Sequence, residues 1–198
     1  MRATTSLPGT YTTEYSLTLS NNLGLNIKLN LAGLVLFIAS GYAFLVAAIH
    51  LSPDFTRSGS VYLDGWTILE GLVVALGALV LTGIVHEAIH GFFFWIFTKK
   101  RPIYGFKVIF AYAAAPDFYI PRNQFLLVGI APFVIIPLIG LALMPFVPLA
   151  VVLTLVFMLT INAAGAIGDL YIIGLLLTKP AQTLIRDFGD GMTFYCPA

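Results

Sequence analysis

The chain has little charge and almost no cysteine. Of its 198 residues, 10% are charged and 59% are hydrophobic, whereas about 25% of the residues in an ordinary soluble domain are charged. This shortage of charge argues against a soluble domain and indicates an integral membrane protein. The single cysteine, Cys196, excludes an intrachain disulfide and a cysteine-rich zinc site.

Two further features are missing. The net charge is only +1, and no basic run with interleaved aromatic residues is present, so we expect no nucleic-acid partner. The N-terminal segment is rich in Thr, Ser and Asn and has no early apolar core, so we expect no cleavable signal peptide. The first apolar run would then direct the chain to the membrane.

Four apolar runs are long enough to cross a bilayer, which takes about 20 residues. They are predicted at 29–51, 68–97, 125–144 and 147–177. The predicted fold class is therefore an all-α polytopic membrane protein with four transmembrane helices, which form a single domain over residues 1–198. The third and fourth runs are separated by so few residues that we expect a close antiparallel helical pair.

The segments outside these runs carry weaker signals. Residues 1–28 form a polar arm with a weak period of two, which fits either an edge strand or a flexible tail. Residues 52–67 are predicted to form a short exterior loop. Residues 102–123 alternate aromatic and other side chains and predict a small β-hairpin on the cytoplasmic side, at the membrane surface. The tail, 178–198, contains a turn signal and could add a small strand.

The basic residues are distributed unevenly between the two sides of the predicted topology. With four spans, Arg57 faces one side, and every other Lys and Arg lies on the side that holds both termini. Because cytoplasmic segments carry the excess of Lys and Arg, we expect both termini to be cytoplasmic.

The most informative motif, His86-Glu87-Ala88-Ile89-His90, lies inside the second apolar run. Two histidines four residues apart share one helix face, which suits two imidazoles on one tetrahedral zinc. In this arrangement the Glu is the base that takes a proton from the attacking water, as in metalloproteases. Ionisable side chains in the bilayer are costly, at roughly 2.5 to 3.5 kcal/mol each, and by default mark a functional site.

A catalytic zinc usually takes three protein ligands, so a third is required. From the helical rise, His86 and His90 lie about 18 and 12 Å inside the cytoplasmic end of their span, and Asp169 lies about 14 Å inside the end of its own. These depths agree, and Asp169 is the predicted third ligand. Asp117 is the alternative if the hairpin dips into the membrane, whereas His50 is expected at the exterior end of the first span.

The residues from Val85 to the tail resemble the putative zincin peptidase family of small bacterial membrane proteins, and are similar to the site-two type of intramembrane zinc metalloprotease. The shared features are the His-Glu-x-x-His motif, the aromatic hairpin, and an Asn-x-x-Gly-x-x-x-Asp stripe that ends at Asp169. The resemblance implies that Asn162 contacts the reacting carbonyl, that the hairpin pairs with unwound substrate, and that the protein lies in the bacterial cytoplasmic membrane.

The sequence thus predicts a zinc-dependent intramembrane peptidase. His86, His90 and Asp169 would hold Zn²⁺, Glu87 would activate water, and the substrate would be a membrane protein or peptide. Two alternatives remain open. One is a metal-ion or proton transporter that uses the same groups as a relay, and the other is a catalytically silent membrane scaffold that retains the site.

Overall fold

The computed structural model describes residues 2–18, 22–53, 65–107, 110–189 and 191–198. Within these ranges the helices are α1 (Leu23–Leu51), α2 (Gly65–Thr98), α3 (Arg122–Leu143), α4 (Leu149–Gly165) and α5 (Ile167–Leu177). The strands are β1 (Tyr11–Thr18), β2 (Ile103–Lys107), β3 (Phe110–Ala114), β4 (Ile120–Pro121), β5 (Leu184–Asp187) and β6 (Gly191–Pro197).

The mainly helical architecture is confirmed. Three helical segments in the described part of the chain are long and apolar enough to span a membrane, and a fourth is available if α4 and α5 count as one broken span. The fourth predicted span, 147–177, consists of two helices, because the chain breaks at Ala166 between α4 and α5. The second run is one long helix, as predicted, and ends where Lys99 adopts a left-handed backbone conformation ahead of Pro102.

The chain contains more β-structure than the all-α prediction allowed. The predicted hairpin is present as the antiparallel pair β2–β3. A second, four-stranded sheet has the order β1-β6-β5-β4, so the N-terminal arm pairs with the C-terminal tail. The edge-strand alternative for the arm is therefore the correct one, and the tail supplies two strands.

Contacts divide the chain into two compact units. The first contains both sheets, the N-terminal part of α1, the C-terminal part of α2, the N-terminal part of α3, and α5 from Gly168 onward. Its core is a cluster of buried apolar side chains around Phe94, Phe125 and Phe194, which holds helices and sheet together. The Arg186 guanidinium lies over the rings of Tyr119 and Phe188 and ties β5 to the segment that follows the hairpin.

The second unit contains the remaining helical segments, including the end of α3 and all of α4. Leu159 packs so closely on Gly140 that a β-carbon at this glycine would lie 2.6 Å from the leucine side chain. This contact is consistent with the predicted close pairing of the third and fourth runs. The predicted loop 52–67, with Arg57, lies largely outside the described residues, as does the hairpin tip at 108–109.

Candidate metal centre

All three predicted metal ligands belong to the first unit. His86 and His90 lie one turn apart on α2, and Asp169 lies in the first turn of α5. Asp169 is near a helix start because the fourth run breaks at Ala166. Since the first amides of a helix are unpaired and the helix dipole is positive there, this position favours a carboxylate.

The donor atoms of these residues converge. The Nε2 atoms of His86 and His90 are 3.1 Å apart, and Asp169 Oδ2 lies 3.1 Å from the first and 3.5 Å from the second. Ligand atoms at 2.0 to 2.1 Å from a tetrahedral zinc are separated by roughly 3.3 to 3.4 Å. The three separations therefore match the edges of one face of a zinc tetrahedron.

The orientation of His90 is fixed by a hydrogen bond from its other ring nitrogen. Nδ1 lies 2.9 Å from the backbone carbonyl oxygen of Val128 on α3. That carbonyl is free to accept because its usual helical partner four residues later is Pro132, which has no N–H. A neutral His90 that donates from Nδ1 presents the Nε2 lone pair to a metal.

The donor set fits a divalent cation. When His90 is neutral and donates from Nδ1, its Nε2 is an acceptor, and so is the Asp169 carboxylate that lies 3.5 Å away. Two acceptors approach in this way favourably when a cation lies between them. The set of two imidazoles and one carboxylate is a common catalytic zinc set, and it leaves the fourth position for water or substrate.

Glu87 lies beside the ligands and does not join them. Its side chain is half-buried, and the backbone amide of Ala113 on β3 donates a hydrogen bond to its carboxylate. The hairpin thus fixes the side chain of the predicted base, which lies on the same helix as both histidines. Residues that could hold a metal, with a fixed carboxylate beside them, are two requirements of metal-assisted hydrolysis.

The other predicted residues fall elsewhere. Asp117, the alternative ligand, is exposed and lines a hollow of about 330 Å³ with Lys100 and Arg101. His50 is exposed in the last turn of α1, and its location on the exterior side stays a prediction. Asn162 is buried in α4 of the second unit, and its contact with substrate stays a prediction.

A further carboxylate, Asp187 at the end of β5, was missed by the sequence analysis. It is only 8% exposed, and its Oδ1 accepts a hydrogen bond from the Gly189 amide at 2.7 Å. Burial raises the pKa of Asp187 to about 7, and the negative charges of Asp169 and Glu87 add to this, while the Gly189 amide and His90 oppose it. The sequence shows Asp187 only as a polar residue ahead of a turn, because its burial depends on strand pairing.

Fold and site together define a class, namely a strongly apolar, mainly helical protein in which two histidines and one aspartate lie close enough to bind one metal ion. The chain belongs to the family described as "Putative zincin peptidase", which matches residues 79–184. This range includes the His-Glu-x-x-His motif, the hairpin and Asp169. No curated protein and no solved structure matches the chain.

Proposed function

We propose that the protein is a zinc-dependent peptidase that hydrolyses a peptide bond in or near a membrane segment. The observation that carries this proposal is the spacing of three donor atoms, from His86, His90 and Asp169, at the edge lengths of a zinc tetrahedron. Membership of a zincin peptidase family supports the choice of reaction. The presence of Glu87 beside the ligands distinguishes this arrangement from a purely structural metal site.

Zinc, when bound, supplies a Lewis acid that polarises the substrate carbonyl and makes water more acidic. The chain itself supplies the base and the alignment. Glu87, held by the Ala113 amide, accepts a proton from the attacking water and then passes it to the leaving amine. Val128 holds the His90 ring in place, and Asn162 is proposed to donate to the carbonyl oxygen as negative charge develops.

The proposed site of action is the membrane. α1, α2 and α3 are apolar enough to cross a bilayer, and β1 pairs with β6 near the two termini. Because paired termini must lie on one side, this contact supports an even number of crossings, with α4 and α5 together as the fourth. The distribution of Lys and Arg supports a cytoplasmic location for that side.

The proposed substrate is a membrane protein or peptide with a locally unwound segment. A helical substrate hides its carbonyls in internal hydrogen bonds, so hydrolysis requires an extended stretch. The hairpin β2–β3 is a two-stranded sheet, and addition of a substrate strand to a sheet edge is a common mode of peptide capture. Glu87 contacts this hairpin through Ala113, which would bring a captured strand close to the base.

The test compares the detergent-purified parent with Glu87→Gln. Each is loaded with zinc and incubated with a mixed-sequence library of membrane-segment peptides, and products are identified by mass spectrometry. We expect the variant to keep its zinc and to lose about 10²- to 10⁴-fold in cleavage rate, the usual contribution of a positioned base. Zinc-loaded parent that cleaves no peptide would contradict the proposal. Zinc movement across proteoliposomes without cleavage would favour a transporter instead.

A further inference from the structure

Tyr104 lies against α2, the helix that carries the two histidine ligands. A β-carbon at Gly91, the residue after His90, would overlap the hydroxyl oxygen and ring of Tyr104. Gly91 is four residues after Glu87, so both lie on the same face of α2. The glycine therefore provides the space in which the phenol hydroxyl rests, one helical turn from the proposed base.

The register of the hairpin fixes the position of Tyr104 relative to Ala113. Tyr104 on β2 is the cross-strand partner of Ala113 on β3, and Ala113 is the residue whose amide donates to Glu87. Both members of one cross-strand pair thus contact the same stretch of α2. Because this contact involves a paired strand and not a free loop, the hydroxyl is held at a defined position relative to Glu87.

The phenol is protonated and accessible. Burial raises the pKa of Tyr104, and the nearby negative charge of Glu87 raises it further, so the hydroxyl is available as a hydrogen-bond donor at neutral pH. The residue is nevertheless 55% exposed. Part of this side chain can therefore be reached by a second molecule.

We propose that Tyr104 is a catalytic residue of the peptidase, whose hydroxyl donates a hydrogen bond to the substrate carbonyl oxygen as negative charge develops on it. The inference rests on the proposed function and adds a donor to that reaction. The proton stays on the phenol throughout, so Tyr104 only stabilises charge. Loss of one such preorganised donor typically lowers kcat by about 10²- to 10³-fold.

The first test is Tyr104→Phe, which keeps the ring and removes the donor. The probes are the peptide that the parent cleaves and a phosphinic pseudopeptide of the same sequence, whose tetrahedral anion resembles the charged state of the carbonyl. We expect kcat to fall by about 10²- to 10³-fold, with KM and zinc content close to those of the parent. Affinity for the phosphinic probe, measured by calorimetry without turnover, should fall by at least about tenfold.

A second variant and two matched controls separate the donor from simple packing. Gly91→Ala displaces the hydroxyl and should lower kcat in the same direction, whereas Gly83→Ala on the same helix meets no described atom within 4 Å and should behave as the parent. Tyr119→Phe removes a phenol that lies 3.5 Å from the Arg186 guanidinium instead and should also retain activity.

Three outcomes overturn the inference. If Tyr104→Phe keeps the parent kcat and phosphinic affinity while Glu87→Gln is inactive, the peptidase stands and the role of Tyr104 is wrong. If Tyr104→Phe changes KM alone, the residue binds substrate through its ring and does not stabilise charge. If the zinc-loaded parent cleaves no peptide, the proposed function fails and this role fails with it.

Discussion

Asp187 should make the stability of the zinc-free protein depend on pH. Its pKa is raised from the usual 3.8 to about 7, chiefly by burial. Between these values the folded protein holds a proton that the unfolded chain releases, so the free energy of unfolding falls as pH rises. This contribution is fully present below the unfolded pKa of 3.8 and is lost as pH rises through about 7.

The size of the effect follows from the shift. Each pKa unit corresponds to about 1.4 kcal/mol, so about three units set an upper bound on the order of 4 kcal/mol. Asp187→Asn keeps an oxygen acceptor for the Gly189 amide but carries no charge at any pH. The variant should therefore match the parent near pH 4 and be more stable than it near pH 8.

The assay is thermal unfolding in detergent after treatment with a metal chelator, from about pH 4 to about pH 8. Because every other titrating group is shared, the difference between parent and variant isolates Asp187. A difference that does not change with pH, or a variant that is less stable near pH 8, would refute the reasoning.

Two other predictions concern the strands of the first unit. Phe194 is fully buried in the core, so Phe194→Ala should lower the free energy of unfolding, measured by denaturant titration, by about 3 to 5 kcal/mol. The control is Phe106→Ala, at a side chain that is 78% exposed, which should change the free energy of unfolding by less than about 0.5 kcal/mol. Burial and a hydrogen bond to Glu14 raise the pKa of the Cys196 thiol. Because the thiolate is the reactive form, Glu14→Gln should speed alkylation of Cys196 by iodoacetamide near neutral pH. An unchanged alkylation rate would contradict this prediction.

The sequence was sufficient to predict the helices and the meeting of the three ligands. Runs of apolar residues fix where helices form, and i, i+4 spacing fixes that His86 and His90 share a face. Asp169 could be matched to them because depth along a helix follows from a constant rise per residue. The three side chains do meet, and the break at Ala166 lies outside the segment over which the depth of Asp169 was counted.

The four-stranded sheet, and the contacts that hold the site residues in place, could not be predicted in the same way. Pairing of β1 with β6 joins segments at opposite ends of the chain, and no local pattern specifies such a partner. The sequence does indicate one of these contacts. Pro132 lies four residues after Val128 inside an apolar helix and has no N–H, so the Val128 carbonyl can accept a hydrogen bond from His90 instead. The space at Gly91 could not be predicted either, because the hydroxyl and ring of Tyr104 reach it from a strand whose position depends on the fold.

The central claim is that three side chains hold one metal ion, and the metal content of purified protein tests it most directly. Parent, His86→Ala, Asp169→Ala and the control Asp117→Asn are purified in detergent, exposed to equal zinc and analysed by elemental mass spectrometry. We predict about one zinc per chain for the parent and the control, and little zinc in the other two. Full zinc occupancy in Asp169→Ala would contradict the account.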